Sequence, residues 1–159
     1  MSFQNKVNLN PAQGWHGDFS SVNPRISLLG KDGAFQVGET AIEAGSFVWT
    51  DEREGLISNK GNASPIGFVG REWAGINLPD AREGNMEISP GTMVTVFSKG
   101  EFIIELPEMM SQVQQGEMVY ASKETGKVVV SDDKNAVATN YKYAENAKGG
   151  DIVKISAWI

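Results

Sequence analysis

Apolar and polar residues alternate with a period of two through most of the chain beyond residue 26. The pattern is clearest in "ISPGTMVTVFSKGEFIIEL", Ile88 to Leu106. Val94 and Val96 alternate with Met93, Thr95 and Phe97. Beyond Ser98-Lys99-Gly100, Phe102, Ile104 and Leu106 alternate with Glu101, Ile103 and Glu105. This spacing predicts two strands joined as a hairpin by a three-residue loop, with Gly100 in a left-handed conformation. It puts Phe102, Ile104 and Leu106 in the core and turns Glu101 and Glu105 outward. The same reasoning predicts strands at Ser46–Thr50, Ile66–Val69, Met86–Ile88, Met93–Phe97, Glu101–Leu106, Met118–Ala121, Lys127–Ser131, Asn140–Ala144 and Ile152–Trp158. "ASKETGK" is a second hairpin turn, ending at Gly126. Phe47 and Trp49 share one strand face and Tyr141 and Tyr143 another, as a core or interface stripe would.

Helix signals are sparse. "LPEMMSQVQQG", Leu106–Gly116, has Pro107 where a first helical residue would sit and Gly116 where a helix would end, so one short helix is expected there. "DDKNAVATN" has little periodicity and reads as loop. With 18 glycines and 6 prolines dividing short strands, the fold class expected is all-β: a single β-barrel or jelly-roll-like domain with at most one or two short helices.

Residues 1–25 break the pattern. "MSFQNKVNLNPAQGWHGDFSSVNPR" is rich in Asn, Gln, Ser and Pro, and Pro11 and Pro24 oppose helix. Yet the segment carries Phe3, Trp15 and Phe19. The expected division is an extended N-terminal arm, 1–25, and a β domain, 26–159. The arm's aromatics either pack on the chain's own β domain or dock on another subunit.

Composition narrows the chemistry. The chain has 159 residues, is 40% hydrophobic, and has no run near the roughly 20 apolar residues of a membrane helix. Its N-terminus lacks the charged-then-apolar order of a signal peptide, so a soluble protein made in a cytoplasm is expected. It has no cysteine and one histidine, His16. Disulfides, thiolate chemistry and Cys- or multi-His metal sites are therefore excluded. A net charge of −6 with scattered basic residues disfavours nucleic-acid binding. His16, in "GWHGD", has no nucleophile at a recognisable spacing and reads as a surface or interface side chain of the arm. The acidic runs Asp51–Glu52, Glu54 and Asp132–Asp133 read as solvated turns. The Gly-rich stretch "GLISNKGNASPIGFVG" matches neither a P-loop nor a dinucleotide fingerprint. No catalytic residue, metal or cofactor is expected.

Six stretches in one order carry a resemblance: "GDFSSVNPR", "GSFVWTD", "SNKGNASPIGFVGREWAG", "ISPGTMVTVFSKGEFII", "GEMVYASKETGKV" and "GGDIVKISAWI". Together they span nearly the whole chain, which resembles the capsid cement, or head decoration, proteins of tailed bacteriophages. The resemblance implies a non-enzymatic structural protein, made in the host bacterial cytoplasm and placed on the outer surface of the mature head. There it would bridge neighbouring major capsid protein subunits against the pressure of packaged DNA. It also implies self-association, with a homodimer at local two-fold axes favoured and a homotrimer at three-fold axes as the alternative. No membrane partner is implied. Expected capsid or subunit contacts are Trp15, His16, Phe19, Asn23, Pro24, Arg25, Arg71 and Trp73. The competing reading is a lectin-like β domain on the phage surface that binds host glycans.

Overall fold

The computed structural model describes residues 13–72 and 86–159; Phe3, Pro11 and Trp73 lie outside them. Among the described residues the regular structure is entirely β. A seven-stranded sheet has the order β1 (Ile26–Ser27), β9 (Phe97–Lys99), β6 (Gly67–Val69), β4 (Ser46–Thr50), β5 (Leu56–Ser58), β2 (Phe35–Val37), β8 (Met93–Val94). A five-stranded sheet has the order β10 (Glu101–Glu105), β14 (Ile152–Ser156), β13 (Ala136–Tyr143), β11 (Met118–Ser122), β12 (Val128–Val129). A small ladder joins β3 (Ile42–Glu43) to β7 (Glu87–Ile88). Pairing is antiparallel except between β2 and β5. Neither large sheet closes on itself, so the architecture is an open, jelly-roll-like sandwich rather than a barrel.

The alternation of side chains explains the layering. Phe47 and Trp49 of β4 enter one core, with Phe68 and Phe97 from the same sheet and Phe102, Ile104, Val119, Tyr141, Tyr143 and Ile155 from the five-stranded sheet. Val48 of β4 points the other way, into a second core with Val69, Val96, Ile57, Val37 and the Ile42 and Ile88 pair of the small ladder. Both faces of β4 are therefore covered, which is why "FVW" is apolar without interruption and Ser46 before it is buried too. The face assignment of the opening motif holds: Phe102, Ile104 and Leu106 are buried, and Glu105 is exposed. The Phe47/Trp49 and Tyr141/Tyr143 stripes are core. The Ala121–Lys127 turn joins β11 to β12 as a hairpin, and Gly126 has a φ of +69°.

Three expectations are corrected. "DDKNAVATN", expected as loop, belongs from Ala136 onward to β13, paired with β11. The strands either side of Ser98-Lys99-Gly100 are not a hairpin. β9 pairs with β1 and β6, whereas β10 pairs with β14 in the other sheet. The chain changes sheets at Gly100, whose φ is not positive. Glycine is needed there for space: a Cβ would lie 2.9 Å from Cε2 of Phe102. Phe97 and Phe102 face each other across the core, ring centroids 5.6 Å apart. A period of two reports which face is buried, not which strand is the neighbour.

The helix expected at Leu106–Gly116 is absent. The backbone of this segment bonds instead to residues 143–151: Leu106 N–H to Asp151 O, Val113 and Ala147 to each other, Gly149 N–H to Met110 O, and Gly116 N–H to Tyr143 O. The approach is close enough that a Cβ on Gly149 would lie 2.5 Å from the carbonyl oxygens of Glu108 and Met110. Long-range pairing thus outweighs a weak local helix preference.

Truncating Phe102 tests the packing. Phe102→Ala should lower stability by ~3–5 kcal/mol in urea unfolding, while Glu124→Ala on the exposed β11–β12 turn should stay within about 0.5 kcal/mol of the parent. Equal losses would overturn the assignment of Phe102 to the core.

Candidate interaction surface

The described part of the arm lies along the free edge of the five-stranded sheet. β10 is an outer strand with main-chain groups left to pair. Gly17 N–H donates to Ile103 O (2.7 Å), Ile103 N–H to Asp18 O (2.8 Å) and Ser20 N–H to Glu101 O (3.0 Å). Ile103, on the face opposite Phe102, is buried as well. On its other side the arm is fixed by the seven-stranded sheet's connection, where Arg71 N–H donates to Gly17 O at 2.7 Å.

Each arm side chain then has a definite place. Phe19 packs on Phe97 and Phe102, with centroids 5.4 and 5.3 Å away. The Arg25 guanidinium stacks over Phe19 at 3.9 Å. Asn23 donates to Glu101 Oε2 at 2.8 Å, and Ser156 donates to Glu101 Oε1 at 3.0 Å. The hydrogen bond from Ser21, aided by Asn23 and Ser156, holds the Glu101 carboxyl below its ordinary range against the opposing effect of burial. A tight turn closed by Trp15 N–H to Asp18 Oδ2 (2.9 Å) leaves the Trp15 ring 72% exposed. Arg71 pairs with Asp18 at 3.4 Å and stands 5.8 Å from the Trp15 ring. Of the residues expected at an interface, Trp15, His16, Phe19, Asn23, Arg25 and Arg71 thus line one edge, and Pro24 is exposed beside them. Phe19 packs on the chain's own core, one of the two alternatives for the arm's aromatics, while the Trp15 ring faces outward.

Sequence reasoning missed the residues that complete this edge. Lys99 stands 4.9 Å from the Trp158 ring, which is 42% exposed. Trp158 was legible only as the end of a strand. That it would meet Lys99 depends on the sheet change at Gly100.

His16, expected as a surface or interface side chain, is partly buried against the chain itself. Its Nδ1 accepts a hydrogen bond from Glu105 N–H at 2.9 Å, and the ring also bonds to the Gly45 backbone. Gly45 has φ +81°, and a Cβ there would overlap the imidazole. A proton on Nδ1 would put two donors face to face. Burial is the largest influence and lowers the His16 pKa from its ordinary 6.5, against the carboxylates of Glu43 and Glu105; Lys127 also lowers it. Tyr141 and Tyr143 line the core beneath. Burial raises both, Tyr143 to about 12 with help from Glu117. Tyr141 Oη donates to Phe97 O at 3.2 Å and so links the two sheets.

The sign for His16 follows from linkage. The unfolded chain binds the proton more readily, so the stability due to neutral His16 is complete above pH 6.5 and declines as pH falls toward the lower folded value. Glu101 titrates below its ordinary 4.5 and so stays ionised where His16 begins to take up a proton in the unfolded chain. His16→Asn, whose side-chain oxygen can accept from Glu105 N–H, should flatten the change in melting temperature on going from pH 7.5 to the acid side of 6.5. An unaltered profile would show that His16 is not the titrating group.

Comparison with known proteins agrees with this architecture. A solved chain described as part of the capsid of Myoviridae phage XM1 superposes with a TM-score of 0.67 at 21% identity, covering 99% of this chain and 98% of that one. No curated protein matches. The family profile described as XM1 gp53 minor capsid protein matches residues 3–157. The chain therefore belongs to the XM1 gp53 minor capsid protein family, and its role is a structural one in a phage capsid.

Proposed function

We propose that this protein is a capsid cement: it binds the outer surface of the mature head and bridges neighbouring major capsid protein subunits. The observation that carries the reading is the strapped arm. Residues 16–20 are bonded to β10 and to Arg71, and the adjoining Trp15 is left facing solvent. A solvent-facing tryptophan on a backbone already held in place loses little entropy on docking, which favours tight contact. In this reading residues 1–25 are the principal capsid-binding element and residues 26–159 the rigid body that anchors them. Arg25 and Arg71 supply cationic groups near Trp15 and Phe19. The protein adds strength through many copies, so modest individual contacts sum as avidity. Its self-association follows the symmetry of the axis it occupies, a homodimer at two-folds or a homotrimer at three-folds. A footprint shared by several shell subunits is complete only once the shell has expanded.

Trp15→Asp tests the reading. The variant should melt within a few degrees of the parent, because Trp15 lies outside both cores. Its occupancy on purified expanded heads, counted by cryo-electron microscopy, should fall severely. Undiminished occupancy would remove Trp15 from the contact. Equal binding of the parent to unexpanded precursors would remove the bridging argument.

A further inference from the structure

Two surface features lie toward opposite edges of the five-stranded sheet, and they match each other. Near β10 and the end of β14, Arg25, Ile26, Lys99 and Trp158 form one patch. Ile26 pairs in register with Lys99, Lys99 stands over Trp158, and Gly100 lies against Arg25. Ile26 and Trp158 are 45% and 42% exposed. The neighbouring carboxylate, Glu101, is already occupied by Asn23 and Ser156. The patch is aromatic and aliphatic with two cations.

Near β11 and β12 a groove of about 610 Å³ opens between the 109–113 segment and these strands. Met109, Met118, Val130 and Tyr120 line it, with Glu117 and Asp132 as its charged groups. The lining holds no Lys, Arg or His; Lys142, cross-strand from Met118, is not among the lining residues. Met109 is 96% exposed, Met118 40% and Val130 39%. Flexible methionines bordering an aromatic-sized groove adapt well to an aromatic ring.

We propose that the occupant of this groove is the Trp158–Lys99 patch of a second copy of the chain. The observation favouring a second copy is charge complementarity within one sequence. The chain carries −6 overall, so copies repel at a distance, and contact requires a local reversal of sign. The patch supplies the cations and the groove the carboxylates, Glu117 accepting from Gln114 N–H and Asp132 from the Ser131 hydroxyl, with apolar surface at the centre of each. Because patch and groove are different surfaces, a two-fold pair joins them reciprocally, and a ring joins each copy's patch to the next copy's groove. The inference deepens the self-association included in the cement reading, and it is tested without heads so that the two fail separately.

The test is sedimentation equilibrium of the full chain over a broad concentration range. The parent should associate, and added salt should weaken association. Lys99→Glu and Asp132→Lys, both at exposed positions, should each raise the dissociation constant by roughly tenfold or more through like-charge contact. Combining them on one chain restores opposite signs across the contact and should recover most of the affinity. Trp158→Ala should also weaken association while leaving the melting temperature near that of the parent. A parent that stays monomeric throughout would overturn the proposal, even if it still decorates heads. So would association that neither charge reversal affects, or a combined variant no tighter than either single one.

Discussion

Phe102 is the residue on which the two sheets and the arm all converge. Its ring lies 4.5 Å from Phe68, 5.6 Å from Phe97, 6.1 Å from Tyr141 and 5.3 Å from Phe19. Phe68 and Phe97 come from the seven-stranded sheet, Tyr141 and Phe102 from the five-stranded sheet, and Phe19 from the arm. Such ring pairs contribute about 0.5–1.5 kcal/mol each beyond the area they bury. The sheets cannot separate, nor the arm lift away at Phe19, without exposing part of this group. The change of sheet at Gly100 then becomes understandable. It delivers Phe97 and Phe102 to opposite walls of one core within a few residues of chain.

The second constraint is the free edge of β10. An open sandwich leaves unpaired main-chain groups at its margins, and such edges invite uncontrolled pairing with other chains. Here residues 17–20 close part of one edge with hydrogen bonds that do not depend on side-chain identity. The side chains of the strap are therefore free to serve other purposes. Phe19 seals the core, His16 fixes the strap to Gly45 and Glu105, and Trp15 remains outside. The same physical device that protects the edge thus holds the backbone beneath an exposed tryptophan.

The sequence shows the burial of faces better than the pairing of strands. The period-two pattern from Glu101 to Leu106 correctly separated Phe102, Ile104 and Leu106 from Glu105, because hydrophobic burial acts residue by residue. It could not reveal that β9 and β10 belong to different sheets, since that depends on partners far along the chain. Strands β2 and β5, three residues each, also escaped notice, although β6, β7 and β12, which are no longer, were expected. The helix expected from Pro107 and Gly116 failed for a related reason. Its local signals were outweighed by backbone bonds to residues 143–151, which Gly149 allows by offering no Cβ. At the candidate surface, the aromatics of the arm were legible as out of place in a polar segment. The ordering of Phe19 inward and Trp15 outward was not, because it follows from the register of the arm against β10. His16 looked superficial for the same reason: nothing near it in sequence announces the seat made by Gly45.

These constraints also account for a fold that persists at low sequence identity. The match to the phage XM1 capsid chain spans nearly all of both chains at 21% identity. Much of what positions the elements here is main-chain: the ladders of both sheets, the strap on β10, and the cross-links from 106–116 to 143–151. Such bonds tolerate most substitutions provided that buried positions stay apolar and the close approaches stay free of a Cβ. Side-chain demands are concentrated at a few points, namely the aromatic group around Phe102, the contact of His16 with Gly45, and the contact of Gly149 with two carbonyls. A protein built this way can change its outward residues without disturbing its frame. Its surface is then free to vary, while the body that carries it keeps one shape.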